Sequence, residues 1–234
     1  MKWSWLTWLA VSATMAGYVA AGSVEATSTT TKIELIPGRA FELKLVRVVP
    51  NAIDFLLLFD GLETDRRELG KCCPTAATET PNLEVFTEPG ASVQVSLSSS
   101  RVSPVTYVAW PAQRGDKLIL ERHMMGEIVD GQAAMWVQPP PEPRTEFMLY
   151  PGLNRVRLKV TSVDPALVGE AVQVRIEAPL SLKNAKPNTV WLFWGLVLWP
   201  VFAFIQIVWA LVLIGATWIK SRRLAALRTE RASG

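Results

Sequence analysis

Apolar and polar positions alternate with a period of two through most of the chain between residues 32 and 178. The alternation is strictest from Arg155 to Val160, where every second residue is charged, and from Val172 to Ile176. Such runs predict strands with one face in a core and the other in solvent. We expect these two runs to pair with each other as antiparallel neighbours, joined by the loop around Gly169.

Shorter runs of the same kind predict further strands at residues 33–36, 41–45, 93–97, 105–110 and 117–121. Residues 53–59 are apolar apart from Asp54, which favours a strand buried on both faces. Roughly seven to nine strands in about 150 residues predict an all-β antiparallel domain, with a sandwich favoured over a barrel. An immunoglobulin-like architecture would rest on strand number alone, because the sequence lacks the Cys, Trp, Cys arrangement of antibody domains.

Residues 1–26 predict a signal peptide that exports the following domain, residues 27–180. Lys2 precedes an apolar run, and small residues then allow cleavage after Ala21 or Ala26. An uncleaved signal anchor is the alternative, since the run is rich in aromatic residues and only one charge precedes it. Either role translocates the β domain.

Residues 190–219 predict a transmembrane helix, because no charged residue interrupts them. A helix of this length reaches ~45 Å, whereas the hydrocarbon core is about 30 Å thick. Residues 181–189 then form a short juxtamembrane stalk, and residues 220–234 form a basic tail that the positive-inside rule assigns to the cytoplasm. Gln206, near the middle of the span, is either a tolerated lone amide or a hydrogen-bonding contact to a partner helix.

The net charge of +3 arises beside the membrane. Residues 27–189 carry 18 Lys and Arg against 19 Asp and Glu, while residues 220–234 carry five basic residues and one acidic residue. Basic segments next to a bilayer attract anionic lipid. We therefore expect contact with the lipid bilayer through the C-terminal helix and the tail, and no nucleic-acid binding.

Two short segments are candidates for metal chemistry. Cys72 and Cys73 are adjacent, so they form a strained vicinal disulfide, an intermolecular bridge, free thiols or metal ligands. His123, Met124 and Met125 place the single histidine beside two thioethers. Together the five residues would suit Cu(I), although His-Met-Met segments more commonly serve packing.

The segment from Pro139 to Pro143 predicts a stiff, extended connector within the domain, with a partner-binding ridge as the alternative. Enzyme signatures are absent: the sequence has one His, no Gly-x-Ser-x-Gly motif and no phosphate-binding glycine loop.

We therefore expect a single-pass protein of a bacterial inner membrane that is not an enzyme and needs no cofactor. Its periplasmic domain would bind an envelope or membrane protein partner, either as a component of an envelope complex or as an immunity-type protein. The alternative function is periplasmic copper handling through the Cys pair and the His-Met-Met segment.

Overall fold

The computed structural model describes residues 2–60, 66–70, 84–85, 90–114, 119–126, 137–138, 146–181 and 186–232. Its helices are α1 (Lys2–Glu25) and α2 (Val190–Ala232). Its strands are β1 (Thr29–Glu34), β2 (Ala40–Arg47), β3 (Asn51–Ala52), β4 (Phe55–Asp60), β5 (Glu84–Val85), β6 (Val93–Ser98), β7 (Val105–Ala109), β8 (Gln113–Arg114), β9 (Ile119–Gly126), β10 (Val137–Gln138), β11 (Met148–Leu149), β12 (Gly152–Val163) and β13 (Ala171–Ile176). Short 3-10 turns lie at Arg67–Leu69, Pro165–Leu167 and Pro187–Thr189.

Nine strands form one antiparallel sheet in the order β1-β13-β4-β9-β7-β6-β12-β2, with β8 paired to β9. The outermost strands, β1 and β2, contact each other, so the sheet curls towards closure and is barrel-like. The prediction of an all-β antiparallel domain with an apolar C-terminal helix is confirmed. The sandwich and the immunoglobulin-like architecture are not confirmed, because these strands belong to one sheet instead of two facing sheets.

The predicted pairing between the two most regular runs is wrong. The runs form β12 and β13, but β12 pairs with β2 and β6, whereas β13 pairs with β1 and β4. The connection between them contains the 3-10 turn Pro165–Leu167, where the Asp164 carboxylate accepts a hydrogen bond from the Ala166 backbone N–H at 3.0 Å. Alternation determines which face of a strand is buried, but it does not select the neighbouring strand.

The core lies on the concave side of the curled sheet. Val156, Leu158 and Val160 of β12 are fully buried, and their neighbours in sequence are exposed. β4 lies between β13 and β9, and Phe55–Phe59 are all buried. The prediction of a strand buried on both faces is therefore confirmed.

The two helices pack against each other as an antiparallel pair. Trp8 and Ser12 contact Gln206, while Tyr18 contacts the start of α2 at Trp191. Within the described part of the chain, one helical segment, Pro187–Arg223, is long and apolar enough to cross a membrane. α2 continues without interruption beyond residue 219 and through most of the basic tail.

Candidate functional site

The junction between the helices and the β domain is built around a buried carboxylate. Glu25 is the last residue of α1, and none of its surface is exposed. Its Oε1 accepts hydrogen bonds from the backbone N–H groups of Val48 and, at 3.0 Å, Val49, directly after β2. Its backbone oxygen accepts from Leu180 N at 3.1 Å. Glu25 therefore joins α1 to two segments of the domain, the one that follows β2 and the one that follows β13.

Two further polar side chains are buried at this junction. Arg47 is 4% exposed and Asn51 is 2% exposed. Burial lowers the pKa of Arg47, and attraction to the Glu25 carboxylate acts in the opposite direction. Among the described residues, the buried side-chain atoms without a hydrogen-bond partner are Glu25 Oε2, Arg47 Nε and Asn51 Oδ1. The junction is thus a polar region beside an apolar core.

The start of α2 is bonded to the same end of the domain. Lys186 Nζ lies 2.7 Å from Ala52 O and 2.7 Å from Asp54 Oδ2. Asn188 Nδ2 donates to Pro50 O at 3.3 Å, and buried Thr189 Oγ1 donates to Pro179 O at 3.2 Å. The described part of the predicted stalk, residues 181–189, is therefore packed against the domain.

Gln206 has its hydrogen-bonding partners within the same chain. Its side-chain Oε1 accepts from Ser12 Oγ at 3.0 Å, and its backbone oxygen accepts from Trp8 Nε1 at 3.0 Å. A Cβ atom at Gly195 would overlap the Tyr18 ring, so glycine permits this close helix contact. The sequence suggested that Gln206 could hydrogen-bond to a partner helix, and in the structure the helix that it contacts is α1.

An open cleft of about 560 Å³ lies on the outer face of the sheet where β6, β12 and β2 run side by side. In the register of the sheet, Arg157 is opposite Glu42 on one side and Ser98 on the other. The Ser99 hydroxyl accepts hydrogen bonds from the backbone N–H groups of the turn that follows it. The residues lining this outer cleft are Ala40, Phe41, Glu42, Ser98, Ser99, Ser100, Arg155 and Arg157.

The cleft combines two guanidinium groups and serine hydroxyls with one carboxylate. Arg155 and Arg157 are exposed, so their charges are available to a ligand. Guanidinium groups bind carboxylates through paired N–H donors, and hydroxyls add donors and acceptors. The outer cleft is therefore suited to an extended segment that carries acidic side chains.

The residues of the metal hypothesis are only partly within the described chain. Cys72 and Cys73 lie outside it. Met124 is 4% exposed and belongs to the core, whereas His123 and Met125 occupy the opposite face of β9, since neighbouring residues of a strand alternate. Among the described residues, no group of three His, Cys, Asp or Glu side chains could hold a metal ion. Copper binding stays a prediction.

Arg122 is a buried cation that sequence reasoning missed. It is fully buried, and its guanidinium donates to the backbone oxygens of Trp110 at 2.6 Å, Ala91 at 2.8 Å and Ala109 at 3.3 Å. Burial lowers its pKa to about 10, so Arg122 is charged at neutral pH. The sequence did contain a signal for this burial, because Arg122 lies two residues from both Leu120 and Met124 and so shares their inward face of the strand. Arg122 thus joins β9 to two other backbone segments inside the barrel, residues 109–110 and residue 91.

The chain has little similarity to characterised proteins. No model of a known protein family matches it, and no curated protein matches it. A crystal structure of a protein from Sulfurospirillum deleyianum resembles it over 65% of this chain and 97% of that chain, with 11% sequence identity and a TM-score of 0.37. A likeness of this size supports no conclusion about fold or function.

Proposed function

We propose that the protein is a non-enzymatic binding module of a bacterial inner membrane, which holds its β domain in the periplasm and engages a protein of the cell envelope. The observation that carries this proposal is the junction, where contacts from buried Glu25, buried Thr189 and half-buried Lys186 join the domain to both helices. A domain bonded in this way presents its outer surface at a constant height and orientation.

The outer cleft is the proposed partner site. It faces away from the core, it is open, and Arg155 and Arg157 supply its positive charge. We propose that it receives an extended, acidic segment of the partner. This chemistry fits a component of an envelope complex and an immunity-type protein equally well, since both would recognise a protein surface.

We further propose that α1 remains in the mature protein as a signal anchor. By length and composition α2 alone of the two described helices qualifies as a spanning helix, so we propose that α1 crosses packed against α2. No charged residue lies between Lys2 and Glu25, and a helix of that length reaches about 33 Å, which matches a core of about 30 Å. The hydroxyls of Thr7, Ser12 and Thr14 are each hydrogen-bonded within the helix pair, as a bilayer requires. The anchor would then be a hairpin with both chain ends in the cytoplasm.

Retention of α1 is also supported by the cost of removing it. Cleavage after Ala26 would take the Glu25 carboxylate away from two partly buried backbone N–H groups and from buried Arg47. Intact-mass measurement of the purified protein tests this. We expect a mass that includes residues 2–21, whereas a chain beginning at Gly22 or Thr27 would establish the cleaved signal peptide and the single-pass topology.

The partner site is tested by photocrosslinking in intact cells. p-Benzoylphenylalanine replaces Ser98 in the outer cleft, and adducts are identified by mass spectrometry after detergent extraction. We expect one predominant envelope protein, and we expect Arg157→Glu to abolish its adduct. Lys159→Glu is the matched control, because Lys159 is exposed on the same strand but does not line the cleft. An adduct that both variants retain, or no protein adduct, would contradict the proposal.

A further inference from the structure

The outer face of the β2–β12 pair changes character along its length. In the register of the two strands, Val46 is opposite Leu153, and two residues further along Lys44 is opposite Arg155. Val46 is 51% exposed and Leu153 is 57% exposed, although both are large and apolar. Tyr150, in the turn that leads into β12, is 40% exposed. Val46, Tyr150 and Leu153 thus form an apolar tip. Lys44 and Arg155 form a cationic band next to it.

This apolar tip lies at the end of the domain from which both helices emerge. Arg47, next to Val46, is opposite Gly152, and the following residues Val48 and Val49 bond to Glu25 at the end of α1. Pro50 O accepts from Asn188 beside the start of α2. At about 3.3 Å per strand residue, Val46 is within roughly 10 Å of the helix ends.

The order of these residues matches the layers of a membrane surface. Apolar and aromatic side chains favour the boundary between acyl chains and headgroups, and cations favour the phosphates above it. Lys44 and Arg155 would lie about 7 Å further from the bilayer than Val46 and Leu153, because they are two strand residues away. A protein partner would not require this order, whereas a lipid surface does.

We infer that this end of the β2–β12 pair rests on the periplasmic surface of the membrane. Val46, Tyr150 and Leu153 enter the headgroup layer, while Lys44 and Arg155 bind the phosphates of anionic phospholipids. The inference rests on the proposed function for the placement of the domain outside the membrane. It gives the domain a third attachment besides α1 and α2. Arg155 then lies where the lipid contact meets the outer cleft, and Arg157 and Ser98 lie further from the lipid and remain open to the partner.

The test uses the purified full-length protein in nanodiscs, where envelope partners are absent. p-Benzoylphenylalanine replaces Leu153 or, as the matched control, Val168, which is 50% exposed and follows the opposite end of β12. After irradiation, phospholipid adducts are quantified by mass spectrometry. We expect severalfold more adduct at residue 153 than at residue 168. Equal yields at the two positions would overturn the inference.

The headgroup preference is tested by comparing nanodiscs of phosphatidylethanolamine with nanodiscs that also contain phosphatidylglycerol. We expect phosphatidylglycerol to increase the yield at residue 153, and Lys44→Glu with Arg155→Glu to remove that increase. An increase that survives both substitutions would overturn the role of the two cations. Because no partner is present, these results are independent of crosslinking at Ser98, so failure of the lipid contact and failure of the partner site are distinguishable.

Discussion

The interior of the sheet and the junction with the helices are both buried, but different contacts stabilise them. The sheet interior consists mainly of aliphatic and aromatic side chains such as Leu158, whose burial stabilises without regard to direction. The junction contains Glu25, Arg47 and Asn51, whose hydrogen bonds depend on geometry. The comparison indicates that apolar burial supplies the stability of the domain, whereas buried polar contacts set its orientation relative to α1 and α2.

Removing apolar volume from the sheet interior should have the largest effect. Leu158→Ala should lower the free energy of unfolding by about 3–5 kcal/mol, because it deletes a fully buried side chain and leaves a cavity. Pulse proteolysis of the detergent-solubilised protein in urea measures this change. Lys159→Ala, at the exposed neighbouring position, should change stability by less than about 0.5 kcal/mol. Equal effects of the two substitutions would show that β12 does not face the core as described.

Removing the junction carboxylate should cost about 3 kcal/mol, since Glu25→Ala removes the acceptor of two partly buried backbone N–H groups and the opposite charge beside buried Arg47. Hydrogen exchange should also accelerate at Val48 and Val49 more than in the sheet. Glu42→Ala, an exposed carboxylate on β2, is the control and should change neither quantity appreciably. If exchange rose equally throughout the sheet, the junction would be part of the core and the comparison would fail.

Unfolding at alkaline pH tests the sheet interior separately from the junction, because the sheet interior contains one titratable phenol, Tyr107. Burial raises the pKa of Tyr107 to about 12, and its hydroxyl accepts from Phe147 N at 2.9 Å. The folded state favours the neutral phenol. The stabilisation that neutral Tyr107 contributes is therefore complete below pH 10 and is lost as the pH rises from about 10 to about 12. The loss should be about 2–3 kcal/mol.

Urea unfolding between pH 9 and pH 12 measures this loss. Tyr107→Phe should have a lower stability at pH 9, because Phe147 N loses its acceptor, but it should lack the additional decline of the wild type. The difference between the two proteins isolates Tyr107 from the other groups that titrate in this range. Parallel pH profiles would refute the assignment.

The contact within the helix pair should have the smallest effect. The coupling between Ser12→Ala and Gln206→Leu should be about 0.6–2 kcal/mol, as is typical of hydrogen bonds between membrane helices. A double-mutant cycle on thermal unfolding in detergent measures it. Thr14→Ala is the control, because the Thr14 hydroxyl bonds to Ala10 O within its own helix. Coupling of Thr14 with Gln206 equal to that of Ser12 would contradict the described helix contact.

Local patterns predicted much of the fold. Alternation identified the strands and their buried faces, as Val156, Leu158 and Val160 illustrate, and a continuous apolar run identified β4. The long uncharged run identified α2 as a helix able to cross a membrane. Each of these features depends on periodicity or length, which are properties of neighbouring residues.

The candidate sites were much less predictable. No sequence motif marks the outer cleft, because its lining comes from β2, β6 and β12, which are distant in the chain and adjacent in the sheet. The sequence analysis placed Met124 in a metal site with His123 and Met125, but Met124 lies on the face of β9 that packs in the core. Arg122 drew no attention, although it is the largest fully buried side chain among the described residues.

The sequence by itself determined which residues form strands and helices and which faces of them are apolar. Only the tertiary structure decided that β12 and β13 do not pair, that Glu25 lies buried against Val48 and Val49, and that Gln206 bonds to Ser12. The physical reason is the range of the interactions. Side-chain periodicity acts between residues a few positions apart, whereas strand order and buried polar contacts join segments that become neighbours only when the chain folds.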